Sequence, residues 1–167
     1  EHTVTRTETH LMQTQYGEFT VHSYRDAISG SLHLAFVKGD IKKDDPVLVR
    51  VHIPNTLRDI CEVYSAERTS WSFSNALEEI SNEGKGVAVL LSGEDYGRGL
   101  AHNMASALAK ENETALLNKS STDLTIGTGS QILRDLGVGK MRLLSYPARF
   151  AISGFDLEVI EFVQFQK

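Results

Sequence analysis

Apolar and polar residues alternate in the first third of the chain, which is the pattern of β-strands. Phe19, Val21 and Ser23 fall on one side of a segment with polar neighbours, and they predict a half-buried strand. A second strand is predicted over residues 32–37, after a Ser-Gly turn. The sequence PVLVRVH at 46–52 is dense in β-branched residues, which is typical of a strand that is buried on both faces.

From about residue 70 the apolar residues repeat at helical spacing instead. The segment SFSNALEEISNEGKG starts with a serine and carries Ala76, Leu77 and Ile80 at that spacing. It predicts a helix that ends at Gly84, because glycine commonly follows the last turn of a helix. The apolar run GVAVLL at 86–91 predicts the next strand.

Two further helices and two strands are predicted in the rest of the chain. Leu100, Met104 and Leu108 are four residues apart, so they form one stripe of a helix, and we expect this stripe to face the core. The segment GTGSQILRDLGVG predicts a shorter helix that begins around Thr128 or Ser130. KMRLLSY and LEVIEFVQF predict the last two strands.

The order of these elements indicates the fold class. Strands that alternate with helices in the second half favour α/β layering with a parallel portion of sheet, whereas the first strands look antiparallel. We therefore predict an α/β fold of mixed α+β character, in which helices pack on a mixed β-sheet. Residues 1–15 are polar and lack periodicity, so they are predicted to be a linker or arm from a preceding domain. Residues 16–167 are predicted to form the domain itself.

Composition and charge narrow the classes of protein that fit this fold. Of the 167 residues, 41% are hydrophobic and 23% are charged, as in ordinary globular proteins. The formal net charge of -5 argues against a dedicated nucleic-acid binder, because no basic excess would hold a phosphate backbone. The chain has one cysteine and no long apolar run. We therefore expect a cytoplasmic protein without disulfides or a membrane partner.

His52 is the first candidate for chemistry, because it ends a predicted strand and functional groups in open α/β sheets usually lie there. The alternative is a structural histidine that is bonded to the backbone, which is the more common case. Cys61 has no second cysteine at metal-binding spacing, so we expect it to be a small core residue.

The segment SGEDYGRGL at 92–100 is the second candidate. It places two glycines, two carboxylates and Arg98 between a buried strand and the start of a helix. Backbone N–H groups, the helix dipole and Arg98 would together suit an anion. A solvated loop that only joins a strand to a helix explains the same sequence equally well. The GTGS segment lacks the Lys-Ser/Thr of a P-loop and is a weak signal.

The order of several short segments is more informative than any single motif. The segments are YGEF at 16–19, HLAFVKGDI at 33–41, PVLVRVH at 46–52, ALEEISNEGKGVAVLL at 76–91, QILRDLGVGKMRLLS at 131–145 and LEVIE at 157–161. Together they resemble the GTP cyclohydrolase II domain of riboflavin biosynthesis, over essentially the whole chain from Tyr16. The residues before YGEF resemble the junction in bifunctional proteins where a 3,4-dihydroxy-2-butanone 4-phosphate synthase domain comes first. Such a junction would explain why the chain does not begin with Met.

The resemblance implies a zinc enzyme that opens the imidazole ring of GTP and releases formate and pyrophosphate. Three cysteines would hold the metal, while an open coordination position activates water. The matching positions here are Asn55 and the residues near Thr69, Ser70 and Trp71, none of which is cysteine. Cys61 lies between these positions and cannot replace three ligands. We therefore expect zinc to be absent.

Other positions that carry chemistry in the family are changed as well. Leu90 stands where the family has a tyrosine. The family's Asp-x-Arg, its catalytic acid/base and its arginine for the phosphoryl chain, matches the region of Thr122 and Leu124. The resemblance thus implies that no catalytic residue is retained at these positions. The residues that could still contact a ligand are Arg50, His52, Glu94, Arg98 and Arg149.

We therefore predict a noncatalytic GTP cyclohydrolase II-like domain that supports or regulates a fused butanone-phosphate synthase. The resemblance also implies a homodimer. Two alternatives stay open at the level of sequence. One is an active GTP cyclohydrolase II, and the other is a module that binds GTP, another nucleotide or a flavin without turnover.

Overall fold

A computed structural model describes residues 2–64, 70–92, 96–108, 122–147 and 156–166, with backbone only at 96–99, 102, 106 and 122–125. Strands and helices follow one another along these ranges. They are β1 (Val4–Thr14), β2 (Gly17–Asp26), β3 (Leu32–Lys38), β4 (Val47–His52), α1 (Thr56–Asp59), α2 (Phe73–Glu83), β5 (Gly86–Leu90), α3 (Tyr96–Leu108), α4 (Thr122–Asp135), β6 (Lys140–Leu144) and β7 (Glu158–Val163).

The described strands form one seven-stranded sheet in the order β1-β2-β3-β5-β4-β6-β7. The pairs β1–β2, β2–β3 and β3–β5 are antiparallel, whereas β4–β5, β4–β6 and β6–β7 are parallel. The predicted mixed sheet and the α/β fold class are confirmed. Because β4, β5 and β6 run in the same direction, their carboxyl ends meet at one edge of the sheet, and His52 lies there.

A hydrophobic layer covers each face of the sheet, and β4 contributes to both. Val47 and Val49 are fully buried in the layer that includes residues of α4, whereas Leu48 is fully buried in the layer that includes α2. Each such side chain contributes about 1.5–3 kcal/mol of hydrophobic free energy. The prediction that this strand is buried on both faces is confirmed.

Helix α2 begins and ends where the sequence predicts. The Ser72 side chain accepts a hydrogen bond from the Asn75 N–H, which caps the first turn. Gly84 follows the last turn with φ 87°, a left-handed conformation that glycine adopts without steric cost. Ala76 and Ile80 are fully buried against the sheet, as their spacing predicts.

The amino-terminal segment, which the sequence predicts to be a linker or arm, contributes a strand to the sheet. Residues Val4–Thr14 form β1, an edge strand that pairs with β2. The side-chain oxygen of Gln131 in α4 accepts hydrogen bonds from the Thr3 and Val4 N–H groups at 2.9 and 3.2 Å. An edge strand has one neighbour, and most of β1 faces solvent, so its strand character rests on backbone pairing rather than on apolar periodicity. That a domain precedes this segment stays a prediction.

The apolar stripe of α3 corrects a second expectation. Leu100, Met104 and Leu108 are 47%, 53% and 74% exposed rather than buried in the core. Helix α3 packs against α1 and buries Asn103 at 6% exposure. The helix is therefore oriented by a contact that the spacing of its apolar residues does not reveal, and its leucine and methionine side chains remain at the surface.

Two local predictions also differ from the structure. Helix α4 begins at Thr122, so Thr128 and Ser130 lie inside it rather than at its start. Gly129 packs so closely on β4 that an added Cβ would lie 3.0 Å from Val51 Cγ1, and this tertiary contact outweighs its low helix propensity. Cys61 is exposed rather than part of the core, because it lies two residues after the end of the short α1, which buries none of its residues.

Candidate functional site

Arg50 and His52 of β4 form a cluster of hydrogen-bonded polar groups at the carboxyl ends of the parallel strands. His52 is fully buried, and its Nδ1 accepts a 3.0 Å hydrogen bond from Arg50 Nε. Arg50 also donates from Nη1 to the Leu144 carbonyl at 2.9 Å and from Nη2 to the Trp71 carbonyl at 3.2 Å. One guanidinium thus ties β4 to the end of β6 and to the segment that precedes α2.

Asp59, in the single turn of α1, is the second centre of this site. Its Oδ2 accepts hydrogen bonds from His52 Nε2 and from the Asn55 N–H, both at 2.8 Å. Its Oδ1 accepts from the Phe73 N–H, the first residue of α2, at 2.9 Å. Arg58 Nη2 lies 3.2 Å from the same carboxylate. Helix α2 has no acidic residue in its first turn, so Asp59 supplies the negative charge that a helix amino terminus favours.

The contacts of His52 determine its protonation. Arginine is always a donor, so Nδ1 accepts from Arg50. Arg58 Nη2 also lies 3.1 Å from Nε2, but a neutral imidazole with Nδ1 as acceptor carries its one proton on Nε2, where it is donated to Asp59. Burial lowers the pKa of His52 to about 4, and the charges of Arg50 and Arg58 lower it further, whereas the hydrogen bond that His52 donates to Asp59 acts in the opposite direction. The imidazole is therefore neutral at physiological pH.

Asp59 and Arg50 keep their charges in this environment. Burial alone would raise the pKa of Asp59, but the hydrogen bond from His52 and the charge of Arg58 hold it well below its usual range. Burial and the repulsion by Arg58 lower the pKa of Arg50 to about 9, which still leaves the guanidinium protonated at neutral pH. The site is thus a charged carboxylate and a charged guanidinium joined by a neutral imidazole.

A pocket lies beside this polar cluster, between β4, β6 and α4. Its walls are mostly apolar, and Arg50, Ser130 and Ser145 supply the polar groups. The pocket includes residues at the carboxyl ends of the parallel strands β4 and β6, where α/β sheets commonly bind ligands. The lining residues are Arg50, Val51, Ile126, Gly129, Ser130, Leu133, Met141, Leu143, Leu144 and Ser145.

The structure brings some of the candidate residues together. Arg50 and His52 lie in one cluster, and Asn55 and Trp71 lie at its border. Among the described residues, the ring nitrogens of His52 bond to side chains and not to the backbone. The structure therefore differs from the alternative of a histidine that is bonded to the backbone. Leu90 ends β5 and pairs in register with His52 across the sheet.

The remaining candidates lie apart from this cluster or outside the described atoms. Ser70 is half-buried next to Trp71. Three candidates fall outside the described residues, namely Thr69, Glu94 and Arg149. Three others have only their backbone described: Arg98 lies in α3, and the first turn of α4 contains Thr122 and Leu124.

The described residues at the positions implied for zinc do not fit the metal. Asn55 uses its side-chain oxygen to cap α1 by accepting from the Arg58 N–H. Trp71 is buried, and its indole Nε1 donates to the Val163 carbonyl at 2.8 Å. An indole has no free lone pair for a metal, and a capping amide is a poor substitute for a thiolate. Within the described residues, no group of three or more His, Cys, Asp or Glu side chains is arranged to hold a metal ion.

Sequence reasoning missed Asp59 and Arg58, although the sequence carried a signal for them. Asn55 followed by Thr-Leu-Arg-Asp is the pattern of a capped helical turn, which brings the fourth residue back over the first. Such a turn directly after the strand that ends in His52 returns Asp59 to the edge of the sheet. The partner on α2, the Phe73 N–H, has no signal in the sequence.

Comparison with known proteins identifies the family. The family model for GTP cyclohydrolase II matches residues 5–164. A 3,4-dihydroxy-2-butanone 4-phosphate synthase of Pseudomonas aeruginosa is 44% identical over 167 residues, which is 98% of this chain and 44% of that protein. The riboflavin biosynthesis protein RibBA of Phocaeicola vulgatus is 35% identical, and the match covers 90% of this chain and 39% of that protein. The chain belongs to the GTP cyclohydrolase II family, as the resemblance predicted.

A solved structure agrees with this assignment. RibBX from A. baumannii, described as a two-domain 3,4-dihydroxy-2-butanone 4-phosphate synthase, superposes with a TM-score of 0.69 at 36% identity. The match covers 100% of this chain and 41% of that chain. The chain therefore spans less than half the length of the relatives that it matches. Among the described helices, none is long and apolar enough to cross a membrane.

Proposed function

We propose that this GTP cyclohydrolase II-like domain of riboflavin biosynthesis has lost its zinc and its acid/base residues and does not turn over GTP. The proposal rests on the hydrogen bonds that Asn55 and Trp71 make within the domain. The first caps α1 and the second is a buried indole bonded to the Val163 carbonyl, so neither position offers a metal ligand. Without the metal there is no activated water to attack the ring. Leu90, Thr122 and Leu124 provide no acid or base in place of the family's groups.

A metal and product assay tests this proposal. The purified chain should contain much less than one zinc per chain by elemental analysis, and it should release no formate from GTP above a buffer blank, even after incubation with added zinc. A zinc-dependent GTP cyclohydrolase II assayed in parallel shows that formate would have been detected. One tightly held zinc per chain, or formate release that a chelator abolishes, would overturn the proposal.

We further propose that the domain supports or regulates a 3,4-dihydroxy-2-butanone 4-phosphate synthase domain in the same polypeptide, as part of a homodimer. The relative from Pseudomonas aeruginosa bears this enzyme's name, RibBX is described as a two-domain form of it, and each is more than twice as long as the matched segment. The exposed stripe of Leu100, Met104 and Leu108 supports self-association, because apolar side chains in a row on a helix are typical of an interface. This role would place the protein in the cytoplasm with the rest of the pathway.

A second candidate is a module that binds a nucleotide or flavin without turnover. The pocket next to Arg50 favours it, since apolar walls with a few polar groups at one side suit a ring system with a polar edge. Among the described residues, three of the five N–H groups of Arg50 are used internally, and the other two would contact a ligand. Glu94, Arg98 and Arg149 stay predicted ligand contacts.

A further inference from the structure

A chain of side-chain hydrogen bonds joins the two segments that flank the cluster. The Asn55 N–H donates to Asp59, His52 donates to the same carboxylate oxygen, and Arg50 donates both to His52 and to the Trp71 carbonyl. These four contacts measure 2.8, 2.8, 3.0 and 3.2 Å in that order. The chain thus runs without a gap from Asn55, at the start of α1, to Trp71, just before α2.

Asp59 adds a second, shorter connection between the same two segments. Its Oδ1 accepts from the Phe73 N–H, so one carboxylate holds α1 and the start of α2 together. The side chain of Asp59 is 15% exposed and that of His52 is 0% exposed, which limits competition by water. Hydrogen bonds to a charged carboxylate are also stronger than those between neutral groups.

We propose that the Arg50–His52–Asp59 chain is the cross-link that fixes the residues 53–64 and 70–73 to β4, in the place of a bound metal. The inference rests on the proposed loss of zinc, because Asn55 and Trp71 are the described positions at which the family's ligands would join the same two segments. A metal held from both segments would cross-link them, and here the hydrogen bonds connect the same two segments. The corner after β4 is therefore ordered by protein groups alone.

The substitution Asp59→Asn tests the cross-link with almost no change in shape. Both carboxylate oxygens accept hydrogen bonds, Oδ2 from Asn55 and His52 and Oδ1 from Phe73. An asparagine presents one oxygen and one NH₂ group, so in either orientation the NH₂ faces an N–H donor. His52 cannot relieve the conflict by changing its tautomer, because its Nδ1 would then present a proton to Arg50.

The experiment compares the purified chain with Asp59→Asn and with the control Asp135→Asn. Asp135 is also a carboxylate between elements, which accepts from Tyr24 and Arg6, and it lies outside the cluster. The measurements are melting temperature with and without EDTA, zinc content, amide exchange at Asn55 and Phe73, and the imidazole nitrogen shifts of His52.

The cross-link predicts a specific set of results. The parent chain is zinc-free, EDTA does not change its melting temperature, and His52 carries its proton on Nε2. Asp59→Asn lowers the melting temperature by about 4–8 °C and speeds exchange at Asn55 and Phe73 about tenfold or more. Asp135→Asn leaves exchange at both amides at the parent rate.

Different failures separate this inference from the proposed function. Parent-like exchange at Asn55 and Phe73 in Asp59→Asn, or a His52 proton on Nδ1 in the parent chain, would overturn the cross-link. The nitrogen shifts are measured on the parent chain, so they decide the matter even if Asp59→Asn does not fold. One zinc per chain with a melting temperature that falls in EDTA would overturn the proposed function, and with it the statement that the hydrogen bonds stand in place of a metal.

Discussion

The Nε2 atom of His52 lies 2.8 Å from Oδ2 of Asp59, seven residues further along the chain. The contact closes a loop that leaves the sheet at the end of β4, makes one turn of helix and returns. It fixes a buried imidazole in its neutral form and fixes a carboxylate at the start of α2. The stability of the domain and its pH dependence are therefore linked through these two residues.

Stability should fall as the pH is lowered from about 6.5 to 4. The unfolded histidine binds a proton below its ordinary pKa of about 6.5, whereas the folded His52, with its pKa lowered to about 4, does not. The unfolded state then binds more protons, so the free energy of unfolding decreases as the pH falls across this window. The share of His52 is about 3 kcal/mol at most. Urea unfolding at several pH values measures it.

His52→Gln is the comparison for this pH effect, because burial lowers the pKa of His22 and His33 as well. The variant should lose part of the slope between pH 6.5 and 4 and keep the part that the other two histidines cause. If the variant unfolds, titration of the His52 ring by NMR in the parent chain replaces it. A midpoint near 6.5 for His52 would contradict the prediction.

Gly86→Ala should destabilise the domain by about 1–3 kcal/mol. Gly86 lies beneath α2, and an added Cβ would be 2.8 Å from Ile80 Cγ1 and 2.9 Å from the Leu48 carbonyl oxygen. The backbone of β4 cannot move away without disturbing both layers of the core. Chemical denaturation of the variant and the parent chain measures the difference.

Gly127→Ala is the matched control for this substitution. Gly127 lies in α4, and an added Cβ would meet nothing within 4 Å. Alanine is favoured over glycine inside a helix by about 1 kcal/mol, so this variant should be as stable as the parent or more stable. Equal destabilisation by the two substitutions would argue against the packing explanation.

Met104→Glu and Leu108→Glu should shift the domain towards a monomer in sedimentation experiments. Both residues belong to the exposed stripe of α3, and a buried charge at an apolar interface is costly. Leu11→Glu is the control, since Leu11 is 68% exposed on the edge strand β1 and lies outside the stripe. A parent chain that sediments as a monomer at all concentrations would contradict the proposed homodimer.

A ligand of the pocket should raise the melting temperature, because binding to the folded state alone adds stability. The screen uses GTP, GMP, ribulose 5-phosphate, FMN and riboflavin at millimolar concentration. For a phosphorylated ligand, Arg50→Lys and Arg98→Ala should each weaken binding about tenfold or more. Because Arg50 also holds Leu144 and Trp71, the shift is compared with and without ligand within each variant.

The exposed Arg25, on β2, is the control for this screen, and Arg25→Ala should keep the full shift. If no compound shifts the parent chain, the binding module is rejected and the structural role is favoured. A shift that survives both Arg50→Lys and Arg98→Ala would place the site elsewhere on the domain.

The sequence by itself determined the elements whose pattern is local. The alternation around Phe19, the β-branched run at 46–52 and the helix from Ser72 to Gly84 depend on spacing and on caps, which neighbouring residues carry. The order of these segments also determined the family. The sequence also indicated that Arg50 and His52 are polar groups near a strand end, because the predicted strand at 46–52 by itself places them there.

Only the tertiary structure decided what depends on partners far apart in the chain. β1 is a strand because β2 and Gln131 bind its backbone, and polar residues at a sheet edge give no apolar pattern. The α3 stripe is exposed because the helix turns Asn103 towards α1. Asp59 belongs to the site because folding brings the Phe73 N–H to its carboxylate. A hydrogen bond between residues that are distant in the chain leaves no periodic pattern in the sequence.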